Sequence, residues 1–269
     1  SNPADTGEKY GLDGEIGRIL RAPAPQIASV TMEDRIQLEI LPQPDETTCG
    51  PTCLHAVYNY YKDRIKLPQL IGETPKLEEG GTLAAYLAKH ALQRGYAVTI
   101  YTYNLRVFDP TWFTRGRAEM IAKLEARLEY KRTARKLQRA IQAYIDILRL
   151  GAEVRFEDLT VELILSFMDR SVPIITGLSS TYLYRCAREM PDGDYDDVRG
   201  HSQGHFVVLC GYDRKKSEVL IADPLEPNPL GTDRFYRVDA DRAINSILLG
   251  VLTYDANLLV IEPKKRRGR

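Results

Sequence analysis

The run QPDETTCGPTC, from Gln43 to Cys53, constrains this chain more than any other. It sets Cys49 at the start of an apolar pattern with helical spacing, with Gln43 six residues before it. Far downstream, GHFVVLCGYD opens on Gly204-His205 and continues as an apolar run bounded by turn residues, which predicts a buried strand. VLIADP then ends on Asp223-Pro224. A fold that unites these segments would hold a thiol, an imidazole, a carboxylate and an amide in one place.

Each residue type has a task in such a site. A free thiol has a pKa of about 8.5 and is mostly unreactive at neutral pH. The start of a helix offers unpaired N–H groups and a partial positive charge, which favour the thiolate of Cys49. Gly50 lets the backbone turn tightly and keeps bulk away from the sulfur. His205, fixed on a strand, is placed to pair with that thiol as general base. Asp223 is expected at the same end of a hairpin whose turn lies near Lys215, where it would accept from the far ring nitrogen and fix the tautomer. The Gln43 amide and the Cys49 backbone N–H could stabilise an oxyanion. His201, four residues before His205 but in a loop, is the second candidate base. His55 is read as structural, and Cys53, one turn after Cys49, as facing the core.

QPDETTCGPTCLHAVYNYY, GHFVVLCGYD and IADP together resemble the papain-like cysteine peptidases that process bacteriocin precursors after a double-glycine leader. The glutamine of that family maps onto Gln43, its Cys-Gly-Pro onto Cys49-Gly50-Pro51, its Gly-His-Phe-Val-Val onto Gly204 to Val208, and its Asp-Pro onto Asp223-Pro224. The resemblance implies an α+β papain-like cysteine peptidase fold, with a nucleophile helix packed on an antiparallel sheet. It implies hydrolysis of a peptide or amide through a thioester acyl-enzyme, with a peptide or protein as substrate and no cofactor. Two alternatives remain: an acyltransferase of the same fold, and a peptide-binding module with weak turnover.

The rest of the chain divides around these motifs. Residues 1–33 read as an N-terminal extension, 34–262 as the peptidase domain and 263–269 as a basic tail. Arg35 to Leu41 alternates as a strand would, with Pro42 and Pro44 holding the Gln43 loop extended. Thr48 is the expected N-cap of the Cys49 helix. Further helices are expected at Thr82–Gln93 and at Leu159–Met168, the latter capped by Thr160. Strands are expected at 97–103, Val172–Gly177, Phe206–Tyr212, Glu218–Ala222 and Arg234–Val238. Residues 181–204 read as a loop. Thr114 to Leu150 holds ten Lys or Arg against four Asp or Glu, with apolar residues at helical spacing. It reads as one long helix or a helical pair ending at Gly151, inserted into the domain. Its exposed face would be solvated or serve as a docking or oligomer surface.

Bulk properties restrict the function classes. Lys and Arg number 37 and Asp and Glu 37, so no net field attracts nucleic acid. No apolar run reaches the ~20 residues a membrane span needs. No export signal is evident, which predicts a cytoplasmic location with free thiols at Cys49, Cys53, Cys186 and Cys210. Cys49 and Cys53 are four apart, as are His201 and His205, but no paired His or Cys motif faces the two cysteines at ligand spacing, so no metal is expected.

Overall fold

The computed structural model describes residues 35–78, 80–130 and 134–264. The 1–33 extension and tail residues 265–269 therefore lie outside the described residues. The helices are α1 (Cys49–Tyr60), α2 (Leu67–Glu73), α3 (Ala84–Gln93), α4 (Arg117–Tyr130), α5 (Arg135–Arg149), α6 (Val161–Met168), α7 (Ser180–Tyr184) and α8 (Ala240–Leu249). The strands are β1 (Tyr96–Thr102), β2 (Glu153–Arg155), β3 (Ile174–Ser179), β4 (Gly204–Asp213), β5 (Glu218–Ala222), β6 (Phe235–Asp239) and β7 (Asn257–Pro263). They form one sheet in the order β2-β1-β7-β3-β4-β5-β6. The β1–β2 pair is parallel and the others are antiparallel. This is the α+β, papain-like arrangement that the motifs imply.

Strand alternation assigns the two faces of the sheet. Val207, Leu209, Val219 and Ile221 bury one face against Ile164 and Phe167 of α6, Leu183 of α7 and Ala243 and Ile247 of α8. The opposite face carries α1 on β4. The Cys53 thiol, fully buried, donates to the Phe206 carbonyl at 3.2 Å and ties helix to strand. A Cβ on Gly50 would lie 2.5 Å from the Thr82 methyl and 3.3 Å from both Leu87 and Phe206. Gly50 is thus needed for close packing of α1, beyond any freedom it gives the backbone at Cys49. Gly50→Ala is expected to destabilise by about 1–3 kcal/mol through overpacking, lowering Tm by roughly 2–4 °C per kcal/mol in a domain of this size. An unchanged thermal midpoint would contradict the packing role.

Several sequence expectations need adjustment. Arg35–Leu41 is not a strand of the sheet, although Ile36, Leu38 and Ile40 are buried in the expected alternation. It makes a single bridge to Gly211, and the Ile36 N–H donates to the Cys210 carbonyl at 2.8 Å. The Leu38 N–H then turns back onto the Ile36 carbonyl, which ends the pairing. Thr160 does cap α6, its hydroxyl accepting from the Leu163 N–H at 3.2 Å. Thr48 occupies the N-cap position of α1 but makes no side-chain cap; its hydroxyl donates to the Asp45 carbonyl at 2.9 Å. The loop expected at 181–204 begins with α7, which supplies a residue of the site.

The basic segment is a helical pair. Leu137, Ile141, Tyr144, Ile145 and Leu148 bury one side of α5, and α5 packs on α3 with Lys89 paired to Asp146 at 2.7 Å. Arg139 pairs with Glu78, and Arg149 with Glu125 of α4 at 2.5 Å. Part of its positive charge is therefore answered within the fold. These pairs are exposed enough that each contributes at most ~1 kcal/mol.

Candidate active site

Cys49 is the first residue of α1. Since the Thr48 hydroxyl turns away to Asp45, no side chain at the cap competes for the first N–H groups of the helix. These groups and the helix dipole favour an anion there. Cys49 is 6% exposed and its thiol interacts with the imidazole of His205.

His205 lies near the start of β4, opposite Leu178 on β3. Its Nε2 lies 2.8 Å from Oδ1 of Asp223, which is fully buried just beyond β5. Both Asp223 oxygens are doubly engaged. Oδ1 also accepts the Leu225 N–H at 2.9 Å, while Oδ2 accepts the hydroxyls of Tyr184 at 2.7 Å and Tyr236 at 2.6 Å. With an ionised carboxylate as acceptor, the Nε2 position carries the proton and Nδ1 is left for the thiol.

The electrostatics of this pair are mutual. Burial pushes the Asp223 carboxyl up, but the His205 charge and hydrogen bond, then Tyr236 and Leu225, bring it below its ordinary value. Burial opposes charge on His205, yet Asp223 and then Cys49 outweigh it and raise the imidazole pKa to about 10. Tyr184 and Tyr236 are raised by burial and by the Asp223 charge, so both stay protonated and act as donors. Burial raises the Cys53 thiol well above its ordinary value, as expected for a core cysteine.

Pairing alone would not set these groups on one face. At the turn end, Asp213 faces Glu218 and Gly211 faces Leu220; beyond the irregularity at Cys210, Leu209 faces Ile221. Cys210 is an extra residue on β4, a β-bulge. The regular register would align Asp223 with Val208, on the face opposite His205. The bulge aligns it with Val207, on the face His205 uses.

Gln43 is brought beside Asp223-Pro224: its backbone N–H donates to the Pro224 carbonyl at 2.8 Å. Its side-chain Nε2 donates to the Asp45 carbonyl at 3.0 Å, leaving one amide N–H uncommitted. The buried Oε1 has no partner. His201 is exposed, and among the described residues it is held by backbone bonds to Glu189 at 2.8 and 3.1 Å, apart from the Asp223 network. His55 contacts Asn59 on its own helix. Gly204 is closely approached: a Cβ there would lie 2.5 Å from Thr253 Oγ1 and 2.8 Å from Asp255 Oδ2.

Tyr184 and Tyr236 escaped the sequence reading. Alternation with Val238 turns Tyr236 inward, but no local pattern names its partner. Tyr184 sat in a segment read as loop. Among the described residues no group of three or more His, Cys, Asp or Glu is placed to hold a metal, and no helix is long and apolar enough to cross a membrane.

Residues 35–242 match the Peptidase_C39 like family. The fold is similar to a double glycine motif protease from an AMS/PCAT transporter, solved in complex with the leader peptide. That likeness has 14% identity and a TM-score of 0.41 over 87% of this chain and 97% of the other. It is also similar to the peptidase domain of Streptococcus ComA, a bifunctional ABC transporter involved in quorum sensing. The identity is again 14%, the TM-score 0.40 and the coverage 84% and 98%. No curated protein matches the chain. The match over most of the described residues, joined to the Cys49 helix and the His205 strand, makes this chain a member of the Peptidase_C39 like family.

Proposed function

We propose that the protein is a cysteine peptidase that hydrolyses peptide or amide bonds through a thioester at Cys49. The observation that carries this is the His205–Asp223 contact at 2.8 Å, with the Cys49 thiol interacting with the same imidazole. The Cys49 thiolate attacks the carbonyl carbon, forming the C–S bond. Protonated His205 gives its proton to the amine as the C–N bond breaks. His205 then takes a proton from water, whose oxygen attacks the thioester; the C–S bond breaks and the thiolate–imidazolium pair is restored. The Cys49 backbone N–H and the free N–H of Gln43 Nε2 hold the oxyanion. Asp223 orients His205, and Tyr184 and Tyr236 orient Asp223. Segment 114–150 is an insertion on this domain.

The test is product analysis of a quenched peptide library. Wild type is expected to release new termini and to show, in a rapid quench, a Cys49-linked acyl adduct of the mass of the amino-side fragment. Cys49→Ala is expected to do neither. Gln43→Ala is expected to keep the adduct chemistry of Cys49 toward iodoacetamide but to lose about 10²–10³ in kcat. Release of amide or ester products bearing an added amine, without hydrolysis, would transfer the reading to acyl transfer. Peptide binding without a Cys49 adduct would end the catalytic reading.

A further inference from the structure

A second buried carboxylate stands beside this site and has no role in the mechanism above. Asp255 lies between the 3₁₀ turn Gly250–Thr253 and β7, and is 6% exposed. Its Oδ2 accepts from the Thr253 hydroxyl at 3.0 Å, while Oδ1 is buried with no partner. The carboxyl lies against two strands, β3 and β4, the second of which carries His205. A Cβ on Gly177 of β3 would lie 2.8 Å from Oδ1, and one on Gly204, the neighbour of His205, 2.8 Å from Oδ2. Both glycines face the side of the sheet that carries α1, since Gly177 is the register partner of Phe206. Asn257, which pairs with Gly177 on its other edge, presents a second buried oxygen, Oδ1, without a partner. Two buried acceptors are thus carried by residues that adjoin Gly177, one against it and one on the strand paired with it, and Gly204 is exposed.

Unmatched buried acceptors are rare, and they call for a donor. Lys136 of α5 interacts with Asp255 electrostatically and lies 5.4 Å over the Tyr254 ring. Among the described residues it forms no ion pair with Asp255.

We propose that Asp255 is the specificity-determining acid of a substrate subsite beside Cys49 and His205, with Asn257 as second acceptor, and that the subsite takes a side chain ending in a cation, that of lysine or arginine. This rests on the peptidase reading for its catalytic readout, but not for its binding readout. An ammonium or guanidinium carries only donors, so it matches two acceptors where a neutral or acidic side chain leaves them unpaired. Burial raises the Asp255 carboxyl to about 7, against the lowering effects of Thr253, Lys136 and His205. Tyr144 of α5 also senses its charge. The subsite is therefore anionic above neutral pH and discharged below it.

The experiment uses internally quenched peptides varied one position at a time on both sides of the scissile bond. At one position, wild type at pH 8 is expected to favour Lys or Arg over Glu by at least about tenfold in kcat/KM. That ratio is expected to fall toward one between pH 8 and pH 6, in a protein without substitutions. Asp255→Asn, which keeps the shape, is expected to collapse the ratio at pH 8. In parallel, calorimetry measures binding of the Lys and Glu peptides to Cys49→Ala and to the Cys49→Ala, Asp255→Asn double variant. Loss of a cation preference in the double variant supports the subsite even where no peptide is cleaved, an outcome that would sink the peptidase reading alone. The absence of any cation preference in wild type and in Cys49→Ala, or its survival in the Asp255→Asn proteins, would overturn the subsite and leave Asp255 a buried structural acid.

Discussion

His205→Gln is expected to lower kcat/KM by about 10²–10⁴, the usual contribution of a positioned general acid–base group. The loss should exceed that from removing either tyrosine, because His205 interacts with the thiol through a hydrogen bond and bonds Asp223 directly. His201→Gln is expected to remain within twofold of wild type. His201 is exposed on a loop and tied by its backbone to Glu189, so nothing fixes its imidazole at the thiol. The measurement is steady-state hydrolysis of one peptide by both variants, with Cys49 alkylation at pH 7 as a substrate-free control. In His205→Gln, alkylation should slow, since the imidazole that interacts with the Cys49 thiol is gone. The reverse ranking of the two variants would move the base to the loop.

Asp223→Ala is expected to reduce both stability and activity. It strands four donors that now converge on one buried carboxylate: the His205 Nε2–H, the Leu225 N–H and the hydroxyls of Tyr184 and Tyr236. Breaking a buried charged pair from one side costs about 3–5 kcal/mol. At roughly 2–4 °C per kcal/mol, Tm should fall by at least several degrees. The effect has a pH window. The carboxyl is depressed in the fold, so its contribution is present above the unfolded value of about 3.9 and is lost as pH falls through the folded one. The imidazole is raised, so its contribution is complete below about 6.5 and is lost as pH rises through about 10. The gap in Tm between wild type and Asp223→Ala should therefore be widest near pH 5–6.5, by the same linkage. Asp223→Asn should recover much of the stability, keeping an acceptor, and less of the activity. Equal Tm for all three proteins across pH 4–9 would contradict this account.

The local parts of the site were legible in the sequence because local rules fix them. The periodicity after Cys49 needs only side-chain spacing to predict a helix, and the apolar run after His205 needs only composition to predict a strand. The gathering of Gln43, Cys49, His205 and Asp223 into one region followed from their order in a resembling family. The amphipathic pattern of 114–150 likewise announced helices, and the structure adds that the buried side of α5 rests on α3.

What the tertiary structure alone decided lies in register and in distant pairing. β7, from the end of the chain, enters the sheet between β1 and β3, and brings Asp255 and Asn257 against Gly177 and Gly204. Nothing within the local sequence of any of these residues specifies that neighbour. Tyr184 and Tyr236 reach Asp223 from separate elements in the same way. The bulge at Cys210 is the clearest instance. FVVLCGYD reads as a regular strand, yet one extra residue moves Asp223 from the face opposite His205 to the face that it shares. Side chains alternate with period two, so a slip of one residue exchanges the faces completely. The helix, the strand and the residue types came from the sequence alone, while the face on which the histidine meets its carboxylate was set by how the two strands pair.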